Sequence, residues 1–282
     1  MAESDGYANS EALVSTEWVA GHLDDPGIRL IEVDVNPAAY AGGHIQGAVG
    51  WDWKKDLQDQ TVRDLASREA LENKLGESGV TPDTTVLLYG DNNNWFAAYA
   101  YWVLKYYGHR DVKLVNGGRV KWEAEGRPYT TDVPRVAATE YGFSRESDEA
   151  IRAYRDEVRD AIGRAGLVDV RSPGEYSGEL LAPENLPQEG AQRGGHIPTA
   201  VNVPWATAVR EDGTFKTAGD LRDLYGGKGI NGDREVIAYC RIGERSAHTW
   251  FVLRELLGYP KVRNYDGSWT EWGSSIRVPI EK

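Results

Sequence analysis

The chain of 282 residues carries 44 acidic and 32 basic side chains, a formal net charge of −12, ten tryptophans and one cysteine. That length suffices for two hydrophobic cores. The single cysteine excludes a disulfide within the chain, and the acidic balance argues against nucleic acid or an anionic membrane as a partner.

The first residues, Met1-Ala2-Glu3-Ser4-Asp5-Gly6, are polar and acidic, without a basic n-region or an apolar h-region. With no stretch long enough to span a bilayer, the expectation is an unexported, cytoplasmic protein. From residue 11 onward, short β-prone runs alternate with helical ones, as where Thr85 to Tyr89 precedes Ala97 to Tyr107, and the pattern resumes at Leu167 to Val170. This alternation predicts an α/β fold in which a mainly parallel central sheet is flanked by helices.

The pattern occurs twice. A displacement of 150 residues places Asp83, Val86, Tyr89, Gly108, Val112, Gly117, Trp122 and Arg127 on Asp233, Val236, Tyr239, Gly258, Val262, Gly267, Trp272 and Arg277. Gly42-Gly43-His44-Ile45 returns as Gly194-Gly195-His196-Ile197. The reading is two tandem domains, residues 11–130 and 149–282, joined by a linker at 131–148 that is poor in apolar periodicity and has Pro128 and Pro134 near its start. An irregular segment, 178–192, reads as a surface loop of no evident function. His44 and His196 recur in equivalent positions of the two copies, so both read as structural, and His248 reads as a helix position without a catalytic role. No ligand spacing implies a metal, and no cofactor is implied.

Chemistry concentrates in Val236-Ile237-Ala238-Tyr239-Cys240-Arg241-Ile242-Gly243-Glu244-Arg245-Ser246. An apolar run stops at the cysteine, a glycine-bearing loop with two arginines follows, and then comes an amphipathic stretch with Trp250, Leu253 and Leu257. This describes a strand, a loop and a helix N-terminus, with Cys240 at the carboxyl end of its strand, where ligands of such sheets collect. Guanidinium charge and a helix N-terminus depress a thiol's pKa, and Gly243 lets successive N–H groups curl into an anion-binding nest. The expectation is a thiolate nucleophile at Cys240 in a cationic cup formed by Arg241, Ile242, Gly243, Glu244, Arg245 and Ser246, which also binds an anionic substrate. The first copy has Gly90 in place of Cys240 and Asp91-Asn92-Asn93-Asn94-Trp95 in place of the loop, so it lacks this chemistry. A cysteine phosphatase would carry its arginine one residue later, where Ser246 stands.

This loop, its flanks and the later run Val262-Arg263-Asn264-Tyr265-Asp266-Gly267-Ser268-Trp269-Thr270-Glu271-Trp272 resemble the rhodanese family, in particular its two-domain bacterial thiosulfate sulfurtransferases, over nearly the whole chain. The resemblance implies that Cys240 takes the outer sulfur of thiosulfate, releases sulfite, and passes the sulfur from a persulfide to cyanide or a thiol. It suggests that Asp169 pairs with a cation of the loop, with Arg171 beside it in support. It marks Thr199 as standing where many members have glycine. It marks Glu175 as standing where some animal members have an anion-binding arginine, which would leave anion binding to Arg241 and Arg245. Two other readings stay open. 3-Mercaptopyruvate is the rival donor, although specialists for it usually have small uncharged residues where Arg241 stands. Alternatively, the chain is a persulfide carrier or regulatory module that delivers sulfur to a protein partner.

Overall fold

The computed structural model describes residues 5–183 and 190–282. It divides the chain into two compact units. One comprises Glu11–Asp148 with Val209–Phe215, and the other comprises Glu149–Ala208 and Lys216–Lys282 with the described residues up to Ser10. Among the described residues, no helix is long and apolar enough to cross a membrane.

The first unit is built on β1 (Leu13–Val14), β2 (Ile28–Val33), β3 (Val49–Trp51), the short pair β4 (Gln58–Asp59) and β5 (Asp64–Leu65), β6 (Thr85–Tyr89) and β7 (Val112–Val115). Its central sheet runs β1-β7-β6-β2-β3, with every pairing parallel. The second unit repeats the plan with β8 (Gly166–Asp169), β9 (Val201–Asn202), β10 (Val236–Tyr239) and β11 (Val262–Tyr265), ordered β11-β10-β8-β9 and again all parallel. Where β1 lies in the first sheet, the second has a single parallel bridge, Arg152 to Asn264. β8 and β10 are buried along their whole length, which explains why both run apolar as far as the paired Asp169 that ends β8.

Both histidines of the repeat are structural posts. His44 stacks on Tyr40 at 3.9 Å with Nδ1 2.9 Å from the Tyr40 carbonyl oxygen, and His196 stacks on Tyr176 at 3.7 Å with Nδ1 3.0 Å from that carbonyl oxygen. Each tyrosine hydroxyl donates to an alanine carbonyl, Ala48 or Ala200, at 2.8 Å.

Residues 131–148 hold no helix or strand, yet they are fastened to the first unit. Thr139 donates its N–H to Gly76 O at 3.0 Å and its hydroxyl to Val80 O at 2.5 Å, and the N–H of Asp148 reaches Tyr106 O at 2.7 Å. Of the segment 178–192, residues 184–189 lie outside the described residues.

The helix after Cys240, Glu244–Phe251, is buried at all eight positions and continues into a π-helical turn, Val252–Leu256. The sequence suggested an amphipathic stretch, with polar residues on one side. The difference arises because its polar residues are held by interior groups: Arg245 by Glu175, and Ser246 by Asn264.

Thr199 occupies the left-handed region at φ 68°, which is costly for a β-branched residue. It is exposed, its hydroxyl accepts from Gly163 N–H at 3.2 Å, and its own N–H meets Glu281 Oε2 at 3.2 Å. Thr199→Asn keeps an acceptor and tolerates this conformation, so it should stabilise the protein by about 1 kcal/mol, seen as a rise of a few degrees in melting temperature. A fall would show that the threonine is unstrained.

Candidate active site

Cys240 follows β10 directly, at the carboxyl edge of the second sheet. Its backbone is held from the segment after β11. Its N–H donates to Ser268 Oγ at 3.0 Å, and its carbonyl accepts from Trp269 N–H at 3.1 Å, while Arg241 O accepts from Thr270 N–H at 3.0 Å. Ser268 sits at φ 51° and donates its hydroxyl to Tyr265 O at 2.6 Å, so a left-handed non-glycine residue supports the cysteine from beneath. Gly243 is at φ 97°, where an added Cβ would lie 2.5 Å from the Cα of Asp266. Both facts demand glycine, and the result is that its N–H donates to Cys240 Sγ at 3.2 Å. Asp266 is fixed in turn by Arg152, Nε to Oδ1 at 3.0 Å and Nη2 to Oδ2 at 2.8 Å. Ser246 donates to Asn264 Oδ1 at 2.6 Å, and Asn264 Nδ2 donates to Gly243 O at 3.0 Å.

The electrostatics differ from the expected cationic cup. Arg245 is buried and forms two hydrogen bonds of 2.9 Å to the carboxylate of Glu175, a bidentate pair. Arg241 is also buried, with Nη2 3.9 Å from Glu244 Oε1. Each loop cation therefore faces a carboxylate. Cys240 is fully buried, and its Sγ donates to Glu244 Oε2 at 3.3 Å. Burial first, and then the charge of Glu244, push the thiol up from its ordinary pKa. Arg245 and the N–H and hydroxyl of Ser246 oppose the shift without reversing it. The expectation of a depressed thiol is thus corrected: the loop was read for its arginines, while the carboxylates facing them came from Glu175, on the helix Pro173–Ser177, and from Glu244 itself.

Asp169 also behaves differently from the expectation. It holds no loop cation, because its partner is Arg171, two residues on, with Nη2 to Oδ2 at 2.5 Å. Arg171 further donates to Gly195 O at 2.7 Å and lies over the Trp269 ring at 4.5 Å. The pair thereby supports the residue whose N–H grips the Cys240 carbonyl. Ile242 is buried. His248 is buried too, its pKa pushed down to about 3 by burial, with Trp205 edge-on at 5.1 Å. Among the described residues, no group of three or more His, Cys, Asp and Glu could hold a metal ion. Ser268, Asn264 and the Arg152–Asp266 pair were not singled out in the sequence. Asn264, Asp266 and Ser268 were signalled there only by the run from Val262 to Trp272, and Arg152 lay outside it.

In the first unit the matching position is closed. A Cβ on Gly90 would stand 2.1 Å from Val33 O. Asn92, Asn93 and Asn94 all take positive φ, and the Asn94 side chain fills the turn, accepting from Gly90 N–H at 3.0 Å and donating to Val115 O at 2.7 Å. Gly90→Ala should cost more than about 2 kcal/mol by overpacking, measured by denaturant unfolding. A neutral substitution would mean that the turn has slack.

Glu175 sets a second prediction. Burial pushes its carboxyl up, but the hydrogen bonds and charge of Arg245 win and hold it at about 2. Its ionised form therefore stabilises the fold above the unfolded carboxyl's pKa, and that stability is lost as pH falls through about 2. Glu175→Gln should lower stability at neutral pH by roughly 3 kcal/mol and flatten the acid dependence between about pH 4.5 and 2. An unchanged acid limb would contradict the pairing.

Residues 15–125 and 154–275 match the rhodanese-like domain family. The chain is 59% identical over 274 residues, 97% of each chain, to a protein of Saccharopolyspora erythraea named "Putative thiosulfate sulfurtransferase". It is 56% identical over 282 residues, 98% of this chain and 99% of the other, to "Sulfur carrier protein TtuD" of Thermus thermophilus. Among solved structures it is similar to a substituted EanB carrying a cysteine persulfide, solved with ergothioneine, at TM-score 0.85 and 27% identity over 98% of this chain and 71% of that one. The chain belongs to the rhodanese-like domain family, with two copies of the domain in tandem.

Proposed function

We propose that the protein is a thiosulfate sulfurtransferase with Cys240 as its nucleophile. The observation that carries this reading is the Gly243 N–H aimed at Sγ from 3.2 Å, at the start of a buried helix. That is a backbone donor preorganised for negative charge on sulfur. The name of the relative from Saccharopolyspora erythraea supports thiosulfate as donor.

In the first half-reaction the Cys240 thiolate attacks the outer sulfur of thiosulfate. A new S–S bond forms, the old one breaks, and its electron pair leaves with sulfite. In the second, cyanide or a thiolate attacks the outer sulfur of the persulfide, and the Cys240 thiolate is the leaving group. Arg241 supplies positive charge for the donor, the backbone from Ile242 to Ser246 receives the anionic sulfur, and Arg245, neutralised by Glu175, shapes the loop. Asp169 and Arg171 position the backbone grip on Cys240 through Trp269.

The name of the relative from Thermus thermophilus favours a second reading, in which the persulfide is delivered to a sulfur-accepting protein. Both readings share the loaded state. Incubation with excess thiosulfate should add one sulfur to the wild-type mass and none to Cys240→Ser, and cyanide should remove it. Sulfur gained by the Cys240→Ser variant would overturn the assignment. Loading by 3-mercaptopyruvate but not by thiosulfate, at equal concentration, would overturn the donor alone.

A further inference from the structure

The proposed reaction needs a thiolate, and Cys240 is a buried thiol whose proton has to go somewhere. The ionisable side chain that accepts a hydrogen bond from its sulfur is Glu244, with Oε2 lying 3.3 Å from Sγ. The other charged groups around the sulfur are cations or are already engaged. Arg245 is bound by Glu175, Arg241 is a cation, and Asp266 behind Gly243 is held by Arg152. Ser246 and Ser268 offer hydroxyls, and His248 is fully buried further along the helix.

We propose that Glu244 is a catalytic residue, the base that takes the Cys240 proton and keeps it for as long as the sulfur is anionic. This rests on the reading of Cys240 as the sulfur-accepting nucleophile. The proton moves from Sγ to Oε2, giving thiolate and carboxylic acid with no change in the total charge of the pair. Attack on the donor then leaves a persulfide anion beside a protonated Glu244, which donates a hydrogen bond to it where a carboxylate would repel it. When an acceptor removes the outer sulfur, the released Cys240 thiolate recovers the proton from Glu244. Each half-cycle is balanced without exchange with solvent.

The transfer also explains how a neutral loop receives an anionic donor. At rest, the nearest carboxylate oxygen of Glu244 to Arg241 is 3.9 Å away. Once Glu244 is protonated, that negative charge is gone, and the positive charge of Arg241 acts on the donor and the developing sulfite. Substrate charge and proton position are therefore coupled through one side chain.

The test is the pH dependence of Cys240 attack on a small neutral thiolating reagent, methyl methanethiosulfonate. It requires the same deprotonation but no recognition of an anionic donor. With an internal base, the wild-type rate constant should be independent of pH across about 6 to 8, because one shared proton is redistributed within the pair. Glu244→Gln must lose the proton to solvent, so its rate should rise about tenfold per pH unit toward its thiol pKa. Glu244→Asp should restore a flat profile, slower where the shorter side chain reaches less well. A Glu244→Gln profile parallel to that of the wild type would assign Glu244 a purely structural place and overturn the proposal. Loading with thiosulfate, followed in the same three proteins by mass, separates the two questions. A wild type that fails to load but keeps its flat profile refutes the donor and leaves the base standing.

Discussion

The arrangement depends on the contact between Cys240 and Glu244. In the proposed reaction the sulfur becomes negative, yet it is buried at the end of a parallel sheet beside a carboxylate, which by Coulomb's law alone is the wrong neighbour. The surrounding pairs make this tolerable. Arg245 is balanced by Glu175 and Asp266 by Arg152, and Arg241 faces Glu244. The interior is close to neutral, as burial of so many charges requires. Against that background a single proton shared between sulfur and carboxylate decides where the negative charge lies.

The two copies show which parts of the domain the backbone demands and which the chemistry demands. In the second copy, Arg171 joins the Asp169 carboxylate to the Gly195 carbonyl. In the first, a guanidinium joins a carboxylate to the equivalent Gly43 carbonyl, but it comes from Arg119 after β7 and its acid is Glu32 on β2. Tyr89 and Tyr239 accept the N–H of Ile45 and Ile197 at 2.9 and 3.0 Å. A buried glycine-rich turn needs its carbonyl satisfied in either copy, so that feature persists, even rebuilt from another strand. The loop has no such obligation once Cys240 becomes Gly90, and it has been filled by an asparagine side chain.

Much of this was legible in the sequence. The repeat at 150 residues, the parallel α/β plan and the placing of Cys240 between strand and helix follow from periodicity, glycine positions and one cysteine. What escaped were long-range pairings, because charge composition along a segment says nothing of what faces it across the fold. Glu175 carried a local signal, since Ser172-Pro173-Gly174-Glu175 is a capping box, but nothing in that signal showed its second role, the clamp on Arg245 seventy residues away. Asp169 was read toward the loop when the nearest arginine was its own neighbour, Arg171. Ser268 required the backbone angle itself, for no composition rule places a serine at positive φ.

The most direct measurement is the thiolate absorbance of Cys240 in the resting protein, taken as the ultraviolet difference between wild type and Cys240→Ser across a pH titration. Burial and Glu244 predict that the signal is absent at neutral pH and emerges only on the alkaline side. A full thiolate step already complete at neutral pH would contradict this account. It would mean that the arginines, rather than the shared proton, govern the sulfur.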